Sequence, residues 1–205
     1  MSGLPPVTQA LLILNAAMFA GQMLAGDGFT LNLALWPVGT PSVFGGHLGF
    51  QPWQIVTYSF VHGSLLHLFV NMFALYMFGS ELERVFGRKR YVNLYFASVI
   101  AAAASQLVVQ AYLGGAPYPT VGASGGVFGL LLGYAIYFPN RMVMLIFPPI
   151  PMRARVFVIL YGTLELYLGV TGTQSGVAHF AHLGGMLGAW LIIQNWRGRW
   201  PFRKR

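Results

Sequence analysis

Residues 91–140 read YVNLYFASVIAAAASQLVVQAYLGGAPYPTVGASGGVFGLLLGYAIYFPN and contain no Asp, Glu, Lys or Arg. Two apolar runs, 91–113 and 123–138, flank a break that carries Gly and Pro. A helix that crosses a bilayer needs about 20 mostly apolar residues, and the first run meets that length. The second run is shorter, begins in a glycine-rich string and stops at Pro139. A helix whose start lies inside protein need not cover the full thickness, because neighbours or cavity water can satisfy its irregular backbone.

Outward from this stretch the pattern repeats. Residues 166–196 are also uncharged, and only 8% of the chain is charged while 56% is hydrophobic. A soluble domain devotes roughly a quarter of its residues to charge. Apolar runs lie at about 7–25, 64–82, 91–113, 123–138, 155–172 and 178–196. The expectation is an all-α, polytopic membrane protein: a single domain over 1–205 with six transmembrane helices. Residues 1–26 have no basic leader or small-residue cleavage site, so the first run is expected to be a retained helix. No repeat or linker divides the chain. With no Cys, no disulfide is available to brace a loop.

The net charge of +8 raises the question of nucleic acid. Nucleic-acid surfaces interleave basic with polar and aromatic residues on a solvated face, and these basic residues do not. They form four groups: Arg84, Arg88, Lys89 and Arg90; Arg141; Arg153 and Arg155; and Arg197, Arg199, Arg203, Lys204 and Arg205. If the N-terminus is cytoplasmic, the gaps after the second and fourth runs and the basic tail 197–205 share that side and hold all 12 Lys and Arg. This is the positive-inside pattern. Both termini are then cytoplasmic, and the loop 26–63 is external. Its Phe29, Leu31, Leu33, Leu35, Trp36, Phe44, Leu48, Phe50 and Trp53 place it in the membrane interface.

Polar side chains within apolar runs are costly and therefore informative. His67 and Asn71 are four apart, hence on one helix face; they are either donors to a common point or interhelical glue. Ser124, in Gly122-Ala-Ser124-Gly125-Gly126, stands where a loop becomes a helix, with unpaired backbone N–H groups nearby. Those are parts of an oxyanion hole, although serine in glycine-rich helices also serves packing. His182 lies a few residues into the last run, at a depth matching Ser124 if both helices start on one side. Gly184 and Gly188 form a GxxxG pair for close packing. His62, His67, His179 and His182 raise a metal, but hydrolytic zinc is expected with a motif such as HExxH, which is missing; no metal or cofactor is expected.

Taken in order, HGSLLHLFVNMFALYMFGSELERVFG at 62–87, GASGGVFG at 122–129 and AHLGG at 181–185 resemble the rhomboid family of intramembrane serine proteases. The resemblance implies a Ser–His dyad without an acidic third member, with Ser124 as nucleophile and His182 as base. It implies an oxyanion site made of His67, Asn71 and the Ser124 backbone N–H. Phe128 stands at the position of an aromatic that packs on the catalytic imidazole, and Gly185 lets the sixth helix approach the fourth. Gly122 and Gly125 give the serine room. Glu83 and Gly87 match a structural Glu-x-x-x-Gly. Trp53-Gln54 replaces a Trp-Arg pair common in the family.

The expected activity is that of an endopeptidase that cuts transmembrane segments of membrane-protein substrates. Its site opens to the external side, where His62, Ser64 and His179 line a path for water. Its lipid partner is the bilayer, and its oligomeric state is left open. Compactness points to a bacterial inner membrane. Glu165, the one acid inside an apolar run, is expected to be neutral or hydrogen-bonded, either tying the fifth helix to a neighbour or serving gating or the water path. The alternatives are an inactive relative that binds membrane helices without cleaving them, and a small transporter or channel, which would favour broken or charged helices near the midplane.

Overall fold

In a computed structural model of the chain, residues 3–40, 49–113, 118–144, 149–172 and 178–199 are described. Phe44 and Leu48 of the external loop and Arg203, Lys204 and Arg205 of the tail lie outside them. The helices in chain order are α1 (Pro6–Ala25), α2 (Asp27–Leu33), α3 (Gln54–Thr57), α4 (Leu65–Ala74), α5 (Ser80–Leu113), α6 (Ser124–Tyr137), α7 (Ala154–Thr171) and α8 (His179–Trp196). A π-helical turn, Leu75–Gly79, joins α4 to α5.

Helix α5 is two helices in one label. Gly87 has φ 72° and ψ 166°, outside helical values, and the chain folds back there. Glycine tolerates this conformation without the Cβ clash that any other residue would meet. The long apolar stretch Leu65–Tyr112 thus supplies two passes. Together with α1, α6, α7 and α8 they form the expected all-α polytopic bundle.

The bundle is apolar outside as well as inside. Helix α1 exposes Ile13, Leu14, Met23 and Leu24, and α7 exposes Ile159, Leu160, Tyr167 and Val170. In water such surfaces would be sticky; in lipid they are the solvated face. The centre belongs to α6. Its 14 residues make a rod of about 21 Å at 1.5 Å per residue, and most of them are buried. It is short because its N-terminal end begins inside the protein.

Close packing around α6 depends on missing side chains. A Cβ on Gly185 would collide with the Gly125 carbonyl and come 3.2 Å from the Gly125 Cα, so α6 and α8 touch backbone to backbone. A Cβ on Gly188 would lie 2.6 Å from Ala101 Cβ and 2.7 Å from the Ala97 carbonyl. Without a water-driven hydrophobic effect, such close van der Waals packing is what holds membrane helices together.

The external loop departs from a simple interfacial segment. It folds into α2 and α3, and parts of it enter the bundle: Ala34 and Leu35 are fully buried. Leu35 and Thr120 exchange two backbone hydrogen bonds of 2.9 Å each. Gln54 is also fully buried. Its Oε1 accepts from the N–H groups of Gln51 and Trp36 (3.1 and 3.2 Å), and its Nε2 donates to Gly49 and Asn32 carbonyls (3.2 and 3.3 Å). A neutral carboxamide, both donor and acceptor, knits the loop without charge.

At the opposite end, a two-stranded hairpin, β1 (Met142–Met144) and β2 (Pro151–Arg153), joins α6 to α7. Arg90 lies over Trp196, Arg141 over Phe138 and Arg197 over Tyr137, at 5.8, 4.8 and 5.1 Å. Arg141 also pairs with Glu81. The basic gaps that follow the second, fourth and sixth passes therefore meet at one end of the bundle, against aromatic rings of the kind found at membrane interfaces.

Candidate active site

The segment before α6 is held extended by its neighbours: Thr120 by Leu35, and Gly122 by a 2.9 Å hydrogen bond from its N–H to the Tyr58 carbonyl. Gly122 has φ 120°, a conformation that L side chains rarely adopt. A Cβ there would lie 2.7 Å from both Cε1 and Nε2 of His67 and 3.8 Å from Ser124 Oγ. Glycine at this position thus lets the chain turn into α6 and leaves space for the His67 ring beside the serine.

Ser124 is the first residue of α6, and His182 lies one turn into α8. With the two helices in backbone contact at Gly125 and Gly185, His182 Nε2 sits 2.8 Å from Ser124 Oγ. Phe128, one turn along α6, stacks on the His182 ring with centroids 4.2 Å apart and planes 5° from parallel. Tyr161 of α7 stacks on the other face of Phe128 at 5.1 Å, and Phe157 follows at 5.5 Å. The imidazole is backed on one face by a column of rings that runs from α6 into α7.

A cavity of about 790 Å³ opens over the pair, lined by His67, Val70 and Asn71 of α4, Ser124 and Phe128 of α6, Phe157 and Tyr161 of α7, and His182 of α8. The structure therefore brings His67, Asn71, Ser124 and His182 to one space. Asn71 uses one amide hydrogen on its own helix, donating from Nδ2 to the His67 carbonyl at 2.9 Å; among the described residues its second has no partner.

Two expectations need correction. His62, Ser64 and His179 do not line this cavity; Ser64 instead caps α4, accepting from the His67 N–H at 3.1 Å. His62 is buried, its ring edge-on to His67 at 5.1 Å, with Nε2 facing the Ala123 N–H at 3.5 Å. Burial, and then the neighbouring His67, push its pKa down to about 4. It is neutral at physiological pH and backs His67 from the start of α6. A tight hydrogen-bonded grip from Gln22 on the His62 backbone (2.9 and 3.0 Å) holds it there.

The second correction is the acid. The resemblance implies a dyad with no acidic third member; the structure sets Glu165 Oε2 2.9 Å from His182 Nδ1 and 2.7 Å from His179 Nδ1. All three side chains are buried. Glu165 does tie α7 to its neighbour, as expected, but the neighbour is the histidine beside Ser124. In sequence only the oddity of an acid in an apolar run marks it. One atom from each of Glu165, His179 and His182 lies within 4.8 Å of the others, a grouping open to a metal ion. The 2.7 and 2.9 Å separations are hydrogen-bond lengths, however, whereas ligands around tetrahedral zinc at about 2.1 Å stand about 3.4 Å apart.

A serine and a histidine thus stand in hydrogen-bond contact at a cavity within a helical membrane bundle. Residues 49–196 match the Rhomboid domain, and the chain belongs to the rhomboid family. It is 30% identical to Rhomboid protease GluP of Bacillus subtilis, over 66% of this chain and 24% of that protein. It is 32% identical to RHOMBOID-like protein 4 of Arabidopsis thaliana, over 70% and 34%. It is 31% identical to Rhomboid protein 1, mitochondrial, of Saccharomyces cerevisiae, over 70% and 41%. The chain thus spans between a quarter and two fifths of the length of these relatives.

Proposed function

We propose that this chain is an intramembrane serine endopeptidase that cuts the transmembrane segments of other membrane proteins, with Ser124 as nucleophile and His182 as general base. The observation that carries the reading is the 2.8 Å contact between His182 Nε2 and Ser124 Oγ, beneath a cavity large enough for an unwound stretch of peptide. In this reading, Oγ attacks a substrate carbonyl carbon while its proton passes to Nε2, and the same proton is then given to the leaving amide nitrogen. Water frees the acyl-enzyme. General-base help of this kind contributes roughly two to four orders of magnitude.

The negative charge that develops on the carbonyl oxygen needs donors in place beforehand. Asn71 Nδ2, the His67 ring and the Ser124 backbone N–H at the start of α6 serve that role. A helical substrate has every backbone group paired, so its carbonyl reaches Ser124 only where it unwinds. Substrates with helix-weakening residues near the end that faces the cavity are preferred on this account. The orientation that goes with it puts the arginine-rich end of the bundle in the cytoplasm and the cavity toward the external face of a bacterial inner membrane.

The test is a labelled transmembrane helix and a fluorophosphonate probe offered to the purified protein. Wild type is expected to cut and to be labelled, whereas Ser124→Ala and His182→Ala do neither. Cleavage that persists in Ser124→Ala sinks the reading. A wild-type chain that binds the helix without cutting it indicates a binding protein instead.

A further inference from the structure

We infer that Glu165 is a positioning residue for His182: its carboxylate accepts a hydrogen bond from Nδ1, fixes the tautomer whose Nε2 is bare, and extends the Ser124–His182 pair into a serine–histidine–glutamate chain. The inference rests on the proteolytic reading above and adds a third member to it.

The geometry carries it. A single oxygen, Oε2, faces His182 Nδ1 at 2.9 Å, and the other nitrogen of the same ring faces Ser124 Oγ at 2.8 Å. A carboxylate only accepts, so the Nδ1 proton is directed to Glu165 and the Nε2 lone pair to the serine hydroxyl. His179, 2.7 Å from the same oxygen, supplies a second donor that holds the carboxylate in place. The carboxyl is otherwise expensive. It is buried in a membrane helix, where an acid needs partners, and its partners here are the base and one further histidine.

Neither Glu165 nor His179 lines the cavity, so neither touches substrate; Glu165 acts through the imidazole. When Oγ forms its bond to the carbonyl carbon, the carbonyl π electrons move to oxygen and the Oγ proton moves to Nε2. His182 is then an imidazolium, with its Nδ1 proton still on nitrogen and facing the Glu165 carboxylate. As the C–N bond breaks, the Nε2 proton goes to the leaving nitrogen, and His182 returns to the tautomer in which it began. A buried carboxylate beside the transient cation stabilises it, the role an aspartate plays in soluble serine proteases.

A purely structural tie between α7 and α8 makes a different prediction, because Glu165→Gln keeps the shape and the hydrogen-bonding capacity. If the amide nitrogen turns to Nδ1, the proton is forced onto Nε2; if the amide oxygen does, the negative charge is gone. Either way, kcat of Glu165→Gln is expected to fall by about a hundred-fold or more, with KM within about twofold and thermal stability close to wild type. Fluorophosphonate labelling should slow in parallel. Glu165→Asp, which keeps the charge, is expected to recover part of the rate.

Nitrogen-15 NMR of the histidine rings in Ser124→Ala protein, which keeps Glu165, is expected to find His182 protonated at Nδ1. Activity is expected to survive exhaustive chelation. Four results overturn the inference: Glu165→Gln within threefold of wild-type kcat; loss of activity that only tracks loss of stability in both Glu165 variants; a His182 proton on Nε2; or activity removed by chelation and restored by zinc. The parent reading fails separately, if Ser124→Ala or His182→Ala still cleaves.

Discussion

At the scale of single residues, the site depends on side chains that are present and on others that are missing. Asn71 lines the same cavity as Ser124, and its bond to the His67 carbonyl sets the direction of its head group. Asn71→Ala is expected to lower kcat by about a hundred- to a thousand-fold with little change in KM, the usual cost of one oxyanion donor; steady-state kinetics on a helical substrate check this. Gly122 is the converse case. Gly122→Ala forces a Cβ to 2.7 Å from the His67 ring at a positive φ. It is expected to displace His67 and to cut activity at least tenfold while the protein still folds, as measured by cleavage rate and melting temperature.

At the scale of elements, the helices are fastened where their ends would otherwise be unpaired. The first N–H groups of a helix have no partner within it. In α1 Glu83 takes that place, accepting from the N–H groups of Val7 (2.9 Å) and Thr8 (2.7 Å) and from the Thr8 hydroxyl (2.8 Å). The carboxylate sits at the positive end of the α1 dipole and is itself buried. Glu83→Ala leaves these donors without a partner at a cost of about 1–3 kcal/mol each. It is therefore expected to lower thermal stability clearly, read by a melting curve in detergent, while single-turnover chemistry in the folded fraction stays near wild type. Four residues on, Gly87 makes the reversal of the chain. The expected Glu-x-x-x-Gly pair is thus an anchor and a hinge for the first three passes, far from Ser124.

At the scale of the whole molecule, the bundle has two unlike ends. One gathers Arg90, Arg141 and Arg197 against Trp196, Phe138 and Tyr137; the other holds the folded loop with α2 and α3 and the N-terminal ends of α6 and α8. The natural chain has no Cys, so a single introduced thiol reports its own side of the membrane. In bacterial cells, a membrane-impermeant maleimide is expected to label Gln51→Cys but to label Arg88→Cys only after the membrane is opened. The reverse pattern would turn the proposed orientation over. The loop also matters to the site at this scale, because Leu35 pairs with Thr120, four residues before Ser124. Gln54, buried with four backbone partners, keeps that loop folded with a neutral side chain.

Much of this was legible from residue order, for reasons that are local. Hydrophobic length and the rarity of charge follow from the solvent, so the all-α polytopic fold could be read from composition and spacing alone. His67 with Asn71, and Ser124 with its flanking glycines, could be singled out because polar or small residues in apolar runs are costly or purposeful. What distance along the chain cannot encode is which side chains meet across helices. The backbone contact of Gly125 with Gly185 sets the register of α6 on α8, and that register brings His182 to Ser124. The packing of α7 on α8 turns Glu165 toward the histidines rather than toward lipid. Phe128 comes to stack between His182 and Tyr161, while Gln22 holds His62 and Glu165 holds His179 away from the cavity. The sequence by itself determined that this chain lives in a membrane and which residues are chemically out of place there; only the tertiary structure decided who their partners are, because partnership is set by the packing of glycine-lined helix faces.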